Sequence, residues 1–413
     1  MSSIEEIDRQ EFSEEVPAVQ GSIFWHLVKQ AKWGMSLARV TFPSFILDTR
    51  SIVERFSDWC RTAINLRALN EQDDPAIRML TVCVWLADGC HLGPRSPKVP
   101  FNSLKGEVIR ALLCTEDGTP IGSYVSELMN HPPPVAAFNY KDQEANIRVY
   151  GHIEMHSKFL GNSIAAFMDE DKSKLSIKVG KYDEVYDFGI PNYYGRGILV
   201  GKLLSEIAGT AVFSCEKTGI GAKVVYDEKG YFFGRYNTVH GEIFDSNTKK
   251  TLITFEGRWS AYLKAKDLRT GKQWVCYDIR ESKSTVLVKP PIEEMCEYES
   301  TRIWNRVKEY IEQGRLDSAQ EIRLAYIAKQ DKQEKWLEEN QIKWTSQCFD
   351  FDETKLQWIP KDINVPLEQG IVQMPPPLEI PLTVRLAQEA GAIPPLPEVL
   401  AEAEEKIARE NIN

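Results

Sequence analysis

Two histidines four residues apart, His152 and His156, are the first residues in this sequence whose types and spacing could do chemistry. On a helix such a pair can hold a metal ion. Here Gly151 precedes them and the segment reads as a strand, where residues four apart share a face across a gap too wide for one metal. Gly151 and His152 therefore suggest a turn or a strand-packing role, and no metal site is expected. Thr218-Gly219-Ile220-Gly221 lies between strand-like runs, so it predicts a hairpin turn and not a phosphate cradle. The chain holds no GxSxG, GxGxxG, P-loop or HExxH pattern. Its eight cysteines (Cys60, Cys83, Cys90, Cys114, Cys215, Cys276, Cys296, Cys348) include no CxxC pair, which reads as reduced thiols in a cytosolic protein. No catalytic residue is assigned, and the chain is not expected to be an enzyme.

The elements that would position any site follow from composition and periodicity. With 413 residues, 43% of them hydrophobic, the chain supports a substantial core. No run of 18 apolar residues is present, so no helical membrane span is expected. A net charge of −10 argues against nucleic acid as a partner. It also argues against bulk attraction to anionic membranes, so membrane contact would need a local patch or an apolar element.

Residues 1–20 read as an acidic tail. Ile23, Phe24, Leu27, Val28 and Ala31 recur at helical spacing after Ser22, a plausible N-cap. Trp25, Trp33 and the lysines give this short helix, over about 21–36, the character of a lid or membrane-touching element; the alternative is an ordinary docked helix. Residues 48–92 read as helical, with Pro75 opening a second run. From 98 to 290, short β-branched and aromatic runs alternate with turn signals such as Glu228-Lys229-Gly230. This predicts a mainly antiparallel sandwich or barrel, and one continuous sheet around a cavity fits the absence of a linker. Helices return over 297–343, ended once by Gly314. Residues 361–413 read as a proline-rich extended tail closed by a helix near 397–410.

One segment is specific. Ser126-Glu127-Leu128-Met129-Asn130-His131-Pro132-Pro133-Pro134-Val135-Ala136-Ala137-Phe138 resembles EQVSHHPPVSAF, the signature of the oxysterol-binding-protein-related family. Other matches follow in order. Phe101-Asn102-Ser103-Leu104-Lys105-Gly106-Glu107 looks like FNPxLGE, and Lys158 to Ser163 is similar to KFxGNS. Ile77 to Leu80 with Trp85, Gly257-Arg258-Trp259, Glu299-Ser300 with Trp304, and Lys343-Trp344 extend the resemblance over about 21–354. It implies an α+β, mainly antiparallel fold: a near-complete β-barrel around a hydrophobic tunnel, with an N-terminal lid helix (Ile23, Phe24, Trp25, Leu27, Val28) and flanking helices. It implies a short form of the family, holding the lipid-binding domain without further modules. The implied protein is a cytoplasmic monomer, peripheral on membranes. It would touch them transiently and move one sterol or glycerophospholipid, with no cofactor besides that cargo. A lipid sensor or scaffold that signals through a protein partner is the rival reading.

The departures bear on the head-group site. The family reads phosphatidylinositol 4-phosphate with two adjacent histidines and several basic side chains. His131 matches the first histidine, Pro132 replaces the second, and Asn130 could donate a bond. The family's basic residue after the LGE strand aligns with Leu112, and Arg110 on the same strand face could substitute. On the C-terminal helix Arg323 fits a family lysine, while Ile327 and Asp331 replace a glutamate and an arginine; Lys329 and Lys332 flank Asp331. His131, Asn130, Arg110 and Arg323 are thus the candidate head-group ligands. Asn102, Gly106, Glu107, Glu127, Pro133 and Pro134 are the signature positions. Weakened or lost binding of phosphatidylinositol 4-phosphate is expected. Gln347 to Glu353 superficially resembles an acidic-aromatic receptor-docking motif, but an aromatic stretch belonging to the fold is the expected reading.

Overall fold

Pro75 opens the helix that organises the interior. Asp74 caps it by accepting the Ala76 N–H at 2.8 Å, and the helix runs to Gly89. The computed structural model describes residues 13–15, 34, 47–93, 99–101, 103–197, 202–229, 235–364, 367 and 372–410. The strands are β1 (Ser13–Glu15), β2 (Leu47–Ser51), β3 (Val99–Phe101), β4 (Val108–Cys114), β5 (Pro120–Asn130), β6 (Val135–Asp142), β7 (Ile147–Phe159), β8 (Ser163–Met168), β9 (Lys174–Val179), β10 (Glu184–Phe188), β11 (Asn192–Arg196), β12 (Lys202–Cys215), β13 (Ile220–Tyr226), β14 (Thr238–Asp245), β15 (Thr251–Arg258), β16 (Tyr262–Asp267), β17 (Gln273–Asp278), β18 (Val286–Val288), β19 (Phe349–Asp352) and β20 (Gln357–Pro360). The α-helices are α1 (Ile52–Arg55), α2 (Ser57–Cys60), α3 (Pro75–Gly89), α4 (Ser300–Glu312), α5 (Leu316–Glu339), α6 (Leu382–Glu389) and α7 (Leu396–Glu410).

Among the described residues sixteen strands form one sheet: thirteen in the order β17-β16-β15-β14-β13-β12-β10-β9-β7-β6-β5-β4-β18, with β1, β8 and β11 off that path and β1 paired to β12. Every pairing in it is antiparallel, as hairpin connections require. The sheet forks at its two longest strands. β7 pairs β9 through Ile147–His152 and β8 through Met155–Phe159. β12 in turn pairs both β11 and β10, and β8 pairs β11. Residues 282–285 link the two end strands β17 and β18 and are tied to the N-terminal helical region. Thr285 N donates to Arg61 O at 2.9 Å, and Ser282 Oγ donates to Asp88 at 2.8 Å. The fold is the near-complete antiparallel barrel that the family resemblance implies, with β17 and β18 as its two end strands.

The inner sheet face and α1–α3 share one core. Met79, Val82, Cys83, Trp85 and Leu86 of α3 pack with Ile177, Tyr186, Phe213, Val224, Ile243 and Leu263. Arg78 pins α3 to β10 by donating from Nε to Glu184 at 2.9 Å. A second core joins Ile303, Trp304 and Val307 of α4 and Ile322 and Tyr326 of α5 to Val384, Val399, Ala403 and Ile407. The helix expected near 397–410 stands as α7, while the extended reading is corrected at α6 (Leu382–Glu389), which is helical. Val384 and Ala387 on α6, and Leu396, Val399, Ala403 and Ile407 on α7, make apolar helix faces that dock on α4 and α5. Lys406 Nζ to Glu321 at 2.6 Å secures the edge of that contact. Among the described residues no helix is long and apolar enough to cross a membrane.

Candidate functional site

The signature acids are structural. Glu127 on β5 is fully buried. It accepts from Ser346 Oγ at 2.6 Å and from the Gln347 and Cys348 N–H groups at 3.1 Å. Burial pushes its carboxyl up, and these bonds offset part of the shift. Its role is to anchor the chain entering the β19–β20 hairpin, where Phe349 packs against Met129, Val135 and Ala137. The acidic-aromatic segment is thus part of the fold. Glu107, also fully buried, accepts from Leu104 N and Trp304 Nε1, both at 3.0 Å. It ties the LGE-like turn to α4. Gly106 there has φ +82°, and a Cβ would lie 2.4 Å from the Trp344 ring, so any side chain is excluded.

His131 lies in the turn between β5 and β6, at one end of the strands, and is half-buried. Pro134 O accepts from Met155 N at 3.0 Å, which fastens the turn to β7; Pro133 O accepts from Asn130 Nδ2 at 3.2 Å. Burial lowers the His131 pKa below the ordinary imidazole value, and the nearby Asp331 carboxylate works against that shift. His131 and Asp331 are therefore brought together from the turn and α5, with the imidazole neutral near pH 7.

The other candidate ligands divide. Asn130 Nδ2 also donates to Pro132 O at 3.3 Å, so the expected ligand donor is spent inside the turn. Arg110 is 2% exposed. It donates to Glu299 Oε1 at 3.1 Å, Pro375 O at 3.0 Å and Glu294 O at 2.7 Å. This corrects its assignment as a head-group ligand, because its three nitrogens join β4 to the α4 approach and the C-terminal segment. Arg323 is buried on α5 and donates to Gln320 Oε1 at 2.7 Å. Desolvation lowers its pKa to about 10. It lies eight residues before Asp331, about 12 Å along the same helix. Lys329 does not flank Asp331 in space. Two residues apart on a helix point to different sides, and Lys329 turns to the core to donate to Tyr298 Oη at 2.6 Å. Burial brings its pKa down to about 8. Asn102 and the lid residues Ile23, Phe24, Trp25, Leu27 and Val28 lie outside the described residues.

Sequence reasoning named Glu299 as a matching position but missed its pairing with Arg110, and missed Ser346, the partner of Glu127. Each stands about 190 to 220 residues from its partner, so no local spacing marks them.

A near-complete antiparallel barrel, packed by helices and carrying a proline-rich polar turn at one strand end, defines a β-barrel binding protein. The family profile described as Oxysterol-binding protein matches residues 24–365, and this chain belongs to that family. It is 34% identical over 298 residues to the oxysterol-binding protein-like protein OBPalpha of Candida albicans, covering 72% of this chain and 69% of that one. With mouse oxysterol-binding protein-related protein 9 it shares 30% over 350 residues, 80% of this chain but 47% of the relative. It thus spans about half the length of that longer relative. The fold is similar to the Osh1 ORD domain in complex with ergosterol (TM-score 0.68, 17% identity, 87% of this chain and 96% of that one). It is also similar to the Osh3 ORD in complex with PI(4)P from Saccharomyces cerevisiae (TM-score 0.59, 18% identity, 84% and 91%).

Proposed function

We propose that this protein encloses one sterol or glycerophospholipid in the barrel and moves it between membranes, with binding of phosphatidylinositol 4-phosphate weakened. The fold of sterol-bound and phosphoinositide-bound relatives supports the cargo class. Half-buried apolar side chains on the forked part of the sheet, Met155, Ala166, Leu204 and Ile207, suit a lipid body. Each buried CH₂ accounts for about 0.8 kcal/mol of what holds a lipid out of water. A carrier that replaces bilayer by an apolar interior leaves that term nearly unchanged and lowers the barrier to exchange.

The observation that carries the weakened phosphoinositide affinity is the charge at the signature turn. A phosphomonoester brings roughly −1.5 to −2 charges. It would meet a neutral His131, an adjacent Asp331 and no donor at Pro132, while Arg110 is committed to Glu299. Arg323 supports some residual affinity. The protein acts in the cytoplasm as a monomer, peripheral on membranes.

Donor-to-acceptor liposome transfer of labelled sterol and phospholipid tests this reading. Transfer that exceeds the spontaneous rate and does not respond to phosphatidylinositol 4-phosphate in the acceptor is expected. Binding without transfer would favour the sensor reading instead.

A further inference from the structure

Away from the signature turn, the fork of the sheet gathers an imidazole and two carboxylates. Glu154 and His156 are two residues apart on β7 and share a face. Asp169 follows β8 and donates its N–H to Glu154 O at 3.0 Å, which places it opposite Glu154. His156 Nε2 lies 3.0 Å from Glu154 Oε1 and 3.5 Å from Asp169 Oδ2. One ligand atom from each residue falls within 4.8 Å of the others. The turn holds them in place. Asp169 Oδ1 accepts from Asp171 N and Lys172 N, both at 3.1 Å, which leaves Oδ2 facing His156. Ser173 Oγ accepts from Glu154 N at 3.0 Å. His152 takes no part, since its Nδ1 accepts from Trp358 N at 3.2 Å.

A cation already stands at this cluster. The Lys172 ammonium lies 2.7 Å from Glu154 Oε1 and 3.8 Å from Asp169 Oδ2. Lys172 is mostly exposed, on a flexible stem, and an exposed pair of this kind holds weakly.

We propose that Glu154, His156 and Asp169 form a divalent-cation site suited to Zn²⁺, in which the ion displaces the Lys172 ammonium. One imidazole nitrogen and two carboxylate oxygens, with water in the fourth position, are zinc chemistry; calcium and magnesium favour all-oxygen sets. Tetrahedral bonds of about 2.0–2.1 Å put ligand atoms about 3.3 Å apart, between the two spacings seen here. The ion would clamp β7 to the end of β8, next to Met155, whose N–H holds Pro134 of the signature turn. The proposal is independent of the lipid reading.

The test is calorimetric titration of Zn²⁺ into the chelator-stripped full chain at about pH 7.5, with the visible spectrum of a Co²⁺-loaded sample beside it. A single saturable site is expected, with a cobalt spectrum lacking a thiolate charge-transfer band. H156A and D169N should each weaken binding at least about tenfold, no less than the loss of an outer-shell partner costs. K172A should tighten it about threefold by removing the competing ammonium. These surface changes leave the core untouched, so unfolding does not confuse the result. The proposal is overturned by absence of a saturable site, by a thiolate band, by equal affinity in H156A or D169N, or by a K172A variant that binds no tighter.

Discussion

Replacing Asp331 by arginine reverses the charge that faces His131 while leaving the barrel alone, because Asp331 is exposed on α5. The expected gain is calculable. Two unit charges at ~6 Å in water interact by ~0.7 kcal/mol. The substitution changes the side-chain charge by two, and the phosphate carries roughly −1.5 to −2. The product, ~2.4 kcal/mol, falls to about 1 kcal/mol once screened over a Debye length of ~8 Å. A charge-assisted hydrogen bond adds to this, giving about 1–2 kcal/mol, or roughly a 5- to 30-fold gain. Extraction of phosphatidylinositol 4-phosphate from liposomes at physiological salt measures it, with sterol extraction as the control. Asp331→Ala should recover about half the free-energy gain. A D331R protein that loads sterol normally and extracts no more phosphoinositide than wild type would refute the electrostatic reasoning. So would wild-type protein that binds this lipid at micromolar concentration or below.

Three further outcomes follow from the geometry. Burial holds His152 down at about 4, against 6.5 for a free imidazole. Below pH 6.5 the unfolded chain takes up a proton that the folded chain refuses, so stability should fall by roughly 3 kcal/mol between about pH 6.5 and 4. Urea midpoints across that range, compared with H152N, check the slope attributable to this residue. R110A should cost about 3–5 kcal/mol in denaturant unfolding by stranding the buried Glu299 carboxylate, while the surviving folded fraction keeps its lipid selectivity. V399D places a charge in the α4–α7 core, and a loss of more than about 3 kcal/mol, with exposed apolar surface by dye binding, is expected.

The antiparallel strands were legible because short β-branched and aromatic runs stand between turn residues, whereas the barrel came with the family resemblance. Strands such as β4 to β6 are buried almost throughout and carry no alternation of their own. The Asp74–Pro75 start of α3 was a local signal. The signature positions carry contacts that tie the fold together: Gly106 packs against Trp344 where a Cβ would not fit, Glu107 accepts from Trp304 and Glu127 from Ser346. What stayed hidden was which donors the fold itself consumes. Arg110 shares a strand face with Leu112 and looked available, yet its counter-ion lies 189 residues away. Asn130 looked like a ligand because local carbonyls do not show in a residue pattern. The closing helix was read near 397–410, but α6 and the docking of both helices were obscured by the prolines around them. Val384 and Ala387 supply too short an apolar face to announce a helix, and only contact with Tyr326 and Val307 gives it a reason to form.

The central claim is that the barrel holds one apolar lipid and discriminates against the phosphoinositide. Native mass spectrometry with lipid extraction tests it most directly, on protein mixed with liposomes containing sterol, phosphatidylserine and phosphatidylinositol 4-phosphate. The account predicts a single sterol or glycerophospholipid per chain, with little of the phosphoinositide. An empty protein in every mixture, or one loaded mainly with phosphatidylinositol 4-phosphate, would contradict it.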